Sequence, residues 1–434
     1  MEFSSTRSKE LKVGFRDAVL HCLPPDGGLY VPASLVDLRP FFLYMDSETT
    51  YPELVATVAP VLLQGELNPI SAARVAESAF SFEPELKRLD HNLSVLELHN
   101  GPTGVFKDFG IAFLAAVMEE LLKPSGHAMT LTATTGRTGV SVAHAFKGRT
   151  GITAVILYPE GHVRGLDPAT FVNNGGNILP IQIQGTFDDC QRLIRDAFED
   201  RPFAERYGLT SANTINVGRL LPQVFYFLYA FIKIKKDLHG DLLFSVPSGN
   251  FGNLIAGLYA WKFGLPANGF IAAMNSNDTF GDFFRGQSFV PHTPVRTLSH
   301  SMDVGNPSNY ERLAAFYNEA PAVMKHMVYS EKVDDEATLA AMERAWKRYG
   351  IHLDPHGAVG FAAAERLLAG DIEDGHVVVL STGHPAKYSE LVTKVTGKAP
   401  ITSDTLQNLQ KEVAPVAVIP ARLDALESAI AGVL

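Results

Sequence analysis

The segment Phe106-Lys107-Asp108-Phe109 sets a lysine between two aromatic rings, just after Gly101-Pro102-Thr103-Gly104 and at the mouth of a helical run from Ile111 to Leu122. Apolar surroundings disfavour an ammonium, lower its pKa and leave a free amine that attacks an aldehyde. A helix lysine whose stem lies along two core aromatics, with its charge in water, fits the same residues. Two further clusters bear on the choice. Ser245-Val246-Pro247-Ser248-Gly249-Asn250-Phe251-Gly252-Asn253 lies between an apolar run and a helical one, where backbone amides at a helix start can approach an anion. It lacks the Gly-Lys-Ser/Thr ending of a nucleotide loop, and Gly249 and Gly252 are too close for the dinucleotide fingerprint. Thr132-Ala133-Thr134-Thr135-Gly136-Arg137-Thr138-Gly139 has the same placement and offers hydroxyls and amides to a second anion. Ordinary turns and helix caps also favour these residue types.

Such clusters need a scaffold that holds strand ends against helix starts. Apolar runs at Met129 to Thr132, Thr153 to Tyr158, Leu179 to Ile183, Leu242 to Val246, Phe270 to Met274 and Val377 to Leu380 read as strands. Amphipathic stretches such as Asp188 to Phe198 and Leu254 to Phe263 lie between them, which predicts an α/β fold with a mainly parallel sheet. Residues 1 to about 95 read as mostly helical, interrupted by the Asp26-Gly27-Gly28 turn and a short extended piece, Leu29 to Pro32. Asn275 to Pro307 has little periodicity and reads as irregular, either a functional loop or a surface excursion.

The 434 residues suffice for two or three domains, and 46% hydrophobic with 19% charged residues is the composition of a globular chain with a large core. A net charge of -10 without a Lys/Arg block argues against a nucleic-acid binder. Lys233, Lys235 and Lys236 read as the solvated end of a helix. Cys22 and Cys190 stand alone, which predicts no disulfide framework, no metal site and a reducing compartment. The polar start, Met1 to Glu10, does not read as a signal peptide, and no uninterrupted apolar stretch reaches membrane-spanning length. The cytoplasm is the expected location.

Taken together the three clusters resemble the threonine synthase family, pyridoxal-phosphate enzymes of fold type II with the tryptophan-synthase-β fold. The likeness covers most of the chain, from Asp26-Gly27-Gly28-Leu29 through Gly101-Pro102-Thr103, Phe106-Lys107-Asp108-Phe109-Gly110, Ser211-Ala212-Asn213 and Asn216 with Arg219. It continues through the Gly249 loop, Asn277-Asp278-Thr279, Met302-Asp303-Val304, Asp354-Pro355-His356 and His384-Pro385-Ala386-Lys387. The resemblance implies two open, twisted, mainly parallel sheets flanked by helices. The domains would be a mostly helical one (1–95), a smaller α/β one with the lysine segment (96–215) and a larger α/β one with the glycine loop and C-terminal helices (216–434). It implies pyridoxal 5'-phosphate carried as a Schiff base on Lys107, the catalytic residue, which also moves protons at the substrate's α and β carbons. Gly249, Asn250, Phe251, Gly252 and Asn253 would surround the cofactor phosphate, Thr382 the pyridine nitrogen, and Thr135 and Arg137 the ring. Thr134, Thr138, Asn213, Thr214 and Arg219 would hold a small phosphorylated amino acid. The implied reaction turns O-phosphohomoserine and water into L-threonine and phosphate, in a monomer or homodimer.

Three departures accompany the likeness. Arg137 occupies the family's acidic position in Thr-Ser-Gly-Asp-Thr-Gly, with Thr135 in place of serine. Asn100 replaces the usual histidine before Gly-Pro-Thr, and Gly161 to Pro168 lacks a glutamine-rich pattern. Arg137 can stabilise the phenolate form of the cofactor ring, reach the substrate carboxylate or point outward. A second reading therefore keeps the cofactor but acts on another amino acid, as a phospho-lyase or β/γ-replacement enzyme. A third is a cofactor-binding protein with little catalysis.

Overall fold

The apolar runs become strands because helices cover them on both faces. The structure, a computed structural model, describes residues 1–434 except 64, 135, 161–175, 279–280, 285–288, 371–374, 403–405, 407–414 and 434. Its strands are β1 (Phe3–Ser5), β2 (Tyr30–Pro32), β3 (Glu85–Arg88), β4 (Leu93–Glu97), β5 (Ala128–Ala133), β6 (Ile152–Pro159) and β7 (Ile178–Gln184). They continue as β8 (Leu209–Thr210), β9 (Asp241–Pro247), β10 (Gly269–Met274), β11 (Val328–Lys332), β12 (Gly375–Ser381) and β13 (Ala417–Pro420). The larger sheet has the order β11-β10-β9-β12-β4-β3, parallel except for the edge pair β3/β4. The smaller, β13-β7-β6-β5-β8, is parallel throughout. Strands β4, β5, β6 and β12 are buried along their whole length, the signature of parallel sheet sandwiched between helices.

All six runs expected to be strands form them, within one or two residues at each end. Sheet membership cuts across the sequence boundaries, however. β4 straddles residue 95 and joins the larger sheet beside β12, while β13, near the C-terminus, completes the edge of the smaller one. Helices are the main regular structure of the first 80 residues but cover fewer than half of them: Phe15–His21, Arg39–Tyr44, Tyr51–Leu62 and Pro69–Ala79, beside the small antiparallel pair β1/β2. Local chemistry sets the helix starts: Thr50 and Glu53 form a reciprocal capping box, and Asn68 accepts from Ser71 N ahead of Pro69.

Two helical segments position the site. Lys107–Leu121 is buried from Asp108 to Met118 and runs through the core. Val217–Leu220, a 3-10 turn and Val224–Ile234 follow one another, and this 18-residue stretch is apolar and long enough to cross a membrane. Its window is 94% buried inside the protein, so here it is a core element. Of the lysines at its end, Lys236 is exposed, but Lys233 and Lys235 are not simply solvated. Lys233 donates to the carbonyls of Ser47 and Thr49, and Lys235 to those of Phe42 and Met45, tying the helix end to the N-terminal region.

Candidate active site

Gly101 to Phe106 is a turn stitched onto the chain that leaves β12. Phe106 N donates to Thr382 O at 3.0 Å, His384 N to Gly104 O at 2.9 Å, and Val105 bridges Gly383. Gly104 takes a φ of 67°, the left-handed region that glycine enters without strain. Asp108 folds back onto this turn: its carboxylate accepts from Thr103 N at 2.8 Å and from the Thr103 hydroxyl, which also lies 2.8 Å from Ser141 Oγ. A Cβ on Gly101 would sit 2.6 Å from Asp108 Oδ2, so the glycine is needed for close approach. Asp108 thus fixes the turn before Lys107 and is not free to pair with the lysine.

The Lys107 amine projects into a positively charged enclosure. Burial, then Arg219, Arg137 and Lys387 in that order, bring its pKa down from 10.5 to about 7, with only Asp108 opposing. Gly110, one turn along the helix, explains how Arg219 arrives. A Cβ there would lie 2.5 Å from Arg219 O, so the glycine lets the Val217–Leu220 helix press against the lysine helix. Asn216, which caps that short helix, spends its carboxamide on Gly218 N, Val19 O, Thr210 Oγ1 and Ser211 O. Arg219 is buried and donates through one terminal nitrogen to Ala212 O at 2.7 Å, while its Nε has no partner among the described residues. Burial lowers its pKa to about 10.

Arg137, the first residue of helix Arg137–Phe146, turns inward. Gly136 precedes it at a φ of 140°, and the Thr134 hydroxyl accepts from Gly136 N at 2.8 Å and Gly139 N at 3.0 Å. The guanidinium lies 4.8 Å over the Tyr388 ring, and its Nε also has no partner among the described residues. The outward position weighed from sequence is not the one adopted. Neither Arg137 nor Arg219 has a carboxylate at ion-pair distance among the described residues.

The glycine loop joins β9 to the helix Gly252–Lys262. Side chains hold its shape: Asn250 Oδ1 accepts from Ser308 N at 3.0 Å, and Asn253 Nδ2 donates to Pro247 O at 2.7 Å. Phe251 is buried with a φ of 59°, an uncommon conformation for a bulky residue that the packed surroundings must hold. A Cβ on Gly249 would lie 2.9 Å from Met302 Cα. Asn250 and Asn253 therefore shape the loop, and backbone amides are what it can offer an anion. Thr214 lies beside this loop, not beside Arg219 alone: a Cβ on Gly252 would meet Thr214 Cγ2 at 3.2 Å. Thr138 and Asn213 are half-buried near their expected elements. Thr135 falls outside the described residues, as do Thr279 and the stretch 161–175 that contains Gly161 to Pro168.

Several residues not assigned from sequence complete the enclosure. Lys387 is a second amine, half-buried and donating to Thr103 O, with its pKa lowered to about 8 by loss of water and by Arg137. Asp354 Oδ2 lies 2.6 Å from His356 Nδ1, and Ser301 N donates to His356 Nε2 at 3.2 Å. A backbone donor at Nε2 leaves the proton on Nδ1, so the pair is a carboxylate holding a neutral imidazole. Burial keeps His356 below its ordinary pKa against the pull of Asp354. His300, His356 and Tyr388 form a triangle of rings with centroids 5.5 to 6.0 Å apart; the His300 ring is 3.2 Å from the tyrosine hydroxyl, and burial followed by Arg137 holds it neutral with a pKa of about 3. His99 is buried 5.1 Å ring to ring from His384, with neither nitrogen hydrogen-bonded among the described residues. The Asp354-Pro355-His356 and His384 to Lys387 motifs were the available signals for Asp354, His356, His384 and Lys387, while His99, His300 and Tyr388 lie outside them.

An amine reactive near neutral pH, a loop presenting amides and two buried guanidinium groups with free Nε atoms suit a phosphorylated aldehyde and a second anion. The relatives agree. A family model described as pyridoxal-phosphate dependent enzyme matches residues 83–383, with threonine synthase N-terminus and C-terminal models on 2–80 and 357–430. Threonine synthase of Haemophilus influenzae is 36% identical over 401 residues, 92% of each chain. That of Escherichia coli is 36% identical over 426 residues, 97% of this chain and 95% of its own. The crystal structure of the Escherichia coli enzyme superposes with a TM-score of 0.87 at 33% identity over 100% of both chains. The PLP-bound threonine synthase of Brucella melitensis superposes with a TM-score of 0.90 at 30% identity, covering 100% of this chain and 99% of that one. The chain belongs to the threonine synthase family of pyridoxal-phosphate-dependent enzymes.

Proposed function

We propose that this chain converts O-phosphohomoserine and water to L-threonine and phosphate, with Lys107 binding the cofactor and carrying protons. The observation that supports it best is the Lys107 amine, brought to a pKa of about 7 by burial and by two buried arginines whose Nε atoms have no partner among the described residues. When bound, pyridoxal phosphate supplies an electron sink for negative charge developing on the substrate carbons. Lys107, with a pKa of about 7, can both accept and return a proton at neutral pH, as removal of the α and β protons requires. Arg219, anchored by Ala212, offers a planar edge to the phosphate that leaves the γ carbon, before water adds at the β carbon. The amides of Gly249 to Asn253, with Thr214 beside them, would hold the cofactor phosphate, and Thr382 and Arg137 are the residues that would serve its ring. Thr134 has two amides on its hydroxyl oxygen, so toward substrate it acts as a donor alone, alongside Thr138 and Asn213.

Purified protein given O-phosphohomoserine should release threonine and phosphate in equal amounts. Borohydride reduction followed by mass mapping should place the cofactor on Lys107, and Lys107→Ala should abolish both adduct and turnover. An adduct on Lys387 would overturn the assignment. Phosphate released together with a 2-oxo acid would make the chain a phospho-lyase, the reading that the inward Arg137 favours among the alternatives.

A further inference from the structure

We infer that Asn309, locked by Arg312, is a positioning residue that fixes the hydrogen-bond polarity of Thr214, so that the threonine hydroxyl donates to a phosphate monoester seated at the Gly249 to Asn253 loop. The inference rests on reading that loop as a phosphate cradle and adds to it two residues from a distant segment.

Arg312 lies in the first turn of the helix Tyr310–Glu319 and is 1% exposed. Its Nε donates to Tyr30 O at 3.0 Å, its Nη1 to Thr214 O at 2.6 Å and Asn309 Oδ1 at 2.7 Å, and its Nη2 to Ile215 O at 2.6 Å. One side chain thus ties the Thr214 backbone to strand β2. Asn309, fully buried, donates from Nδ2 to Thr214 Oγ1 at 2.9 Å. The pair lies against the loop: a Cβ on Gly252 would meet Thr214 Cγ2 at 3.2 Å and Asn309 Nδ2 at 3.5 Å. The preceding residue, Ser308, donates its backbone N–H to Asn250 Oδ1 at 3.0 Å, so one short segment holds both the loop and the threonine.

Each link in this relay has a single possible sense. A guanidinium has donors and no acceptor, so the Asn309 atom facing Arg312 is the oxygen and the NH2 group is left facing Thr214. An amide NH2 cannot accept, so Thr214 Oγ1 does, and its own proton has no acceptor among the described residues. A free threonine hydroxyl serves either as donor or as acceptor, whereas this one is set as a donor before a ligand arrives. Ionised phosphate oxygens only accept, so they match that preset donor, and the fold has already met the cost of orienting it.

The test reverses the polarity and reads binding. Asn309→Asp keeps the shape and pairs with Arg312, but its second oxygen would take the Thr214 proton for itself. One arm compares pyridoxal 5'-phosphate with pyridoxal on the full-length cofactor-free protein, and the other measures inorganic phosphate on the holoenzyme by calorimetry. Asn309→Asp should weaken the phosphate-bearing probe by roughly 10- to 100-fold, the usual effect of losing a hydrogen bond to a charged group. Pyridoxal should stay within about threefold, a split that a merely structural role would not produce. Loss in the first arm assigns the donor to the cofactor phosphate and loss in the second to the substrate phosphate, and either supports the inference. In a Thr214→Val background Asn309→Asp should cost less than about threefold. An equal loss there would mean that the new charge acts through space, and would overturn the inference. Asn309→Ala, which removes the donor without adding charge, serves if the aspartate variant does not fold and should weaken the same probe by a smaller factor. Unchanged phosphate binding in both arms, with Gly249→Ala still impaired, would overturn the inference and leave the loop reading standing. A wild type that binds pyridoxal as tightly as its phosphate, and no inorganic phosphate, would refute the loop reading and the inference with it.

Discussion

Replacing Lys107 by methionine should stabilise the cofactor-free protein, and by an amount that depends on pH in a defined way. In the folded state the amine has a pKa of about 7 against 10.5 for an ordinary lysine. At about 1.4 kcal/mol per pKa unit, keeping it charged in the folded protein costs about 5 kcal/mol as an upper limit. The sign follows from proton counting. Between 7 and 10.5 the unfolded chain holds a proton that the folded one has released, so wild-type stability rises with pH across that window. Below 7 both states are protonated and the full cost applies. Methionine, of similar length and without charge, removes the cost at every pH. The advantage of Lys107→Met over wild type should therefore be greatest near pH 6 and fall by about 2.5 kcal/mol by pH 9. Denaturant unfolding of both cofactor-free proteins across that range, comparing midpoints at constant slope, measures it. A gap that does not change with pH would mean the amine is not depressed, and a variant less stable than wild type at pH 6 would contradict the charged enclosure itself.

Gly249→Ala should lower cofactor affinity more than Gly252→Ala, because its Cβ would press on backbone, 2.9 Å from Met302 Cα, whereas at Gly252 the nearest atom is a side-chain methyl at 3.2 Å; equilibrium binding of pyridoxal phosphate to the two variants tests the order. Asp354→Ala should destabilise the fold by about 2–4 kcal/mol at neutral pH, since it leaves His356 Nδ1 and Gly357 N unsatisfied in the interior. Burial pushes the Asp354 pKa up, but His356 and Arg137 outweigh it and hold it below the ordinary carboxylate value. The stability that depends on this charge is present above the ordinary value and lost as pH falls through the folded one, so wild type and variant should converge in acid thermal melts.

What was legible in the sequence was whatever rests on local pattern. β5, β6, β7, β9, β10 and β12 are continuous apolar runs, and the lysine turn and glycine loop are contiguous motifs whose strand-to-helix placement could be read directly. β3 escaped notice because it is a partly exposed edge of charged residues, and β8 because two residues carry no period. β4 sat at an assumed domain boundary, and its parallel pairing with β12 is a contact nearly 300 residues long in sequence. That pairing brings Lys387, Tyr388 and Gly383 to the lysine turn, which is why those residues could not be assigned in advance. The lysines ending Val224–Ile234 show the same limit: Lys236 is exposed as its charge suggested, but carbonyls between Phe42 and Thr49 bind Lys233 and Lys235.

The charge of the enclosure ties these observations to function. Arg137, Arg219, Lys107 and Lys387 converge there, and the two nearby carboxylates are occupied, Asp108 by Thr103 and Asp354 by His356 and Gly357. A buried cation without a partner is expensive, and the pKa values of about 7, 8 and 10 on Lys107, Lys387 and Arg219 register that expense. Natural folds tolerate such strain where a ligand relieves it. The ligands that would relieve it here carry multiple negative charges, as a cofactor phosphate, a substrate phosphate and a carboxylate do. Arg312, buried elsewhere without a carboxylate, satisfies its guanidinium with the carbonyls of Tyr30, Thr214 and Ile215 and the Asn309 side-chain oxygen, whereas Arg137 and Arg219 each keep an unpartnered Nε among the described residues. Arg137 and Arg219 have no carboxylate partners among the described residues, beside the amine whose pKa is brought down furthest, and this contrast supports the reading that anion recognition and the chemistry of Lys107 belong to one site.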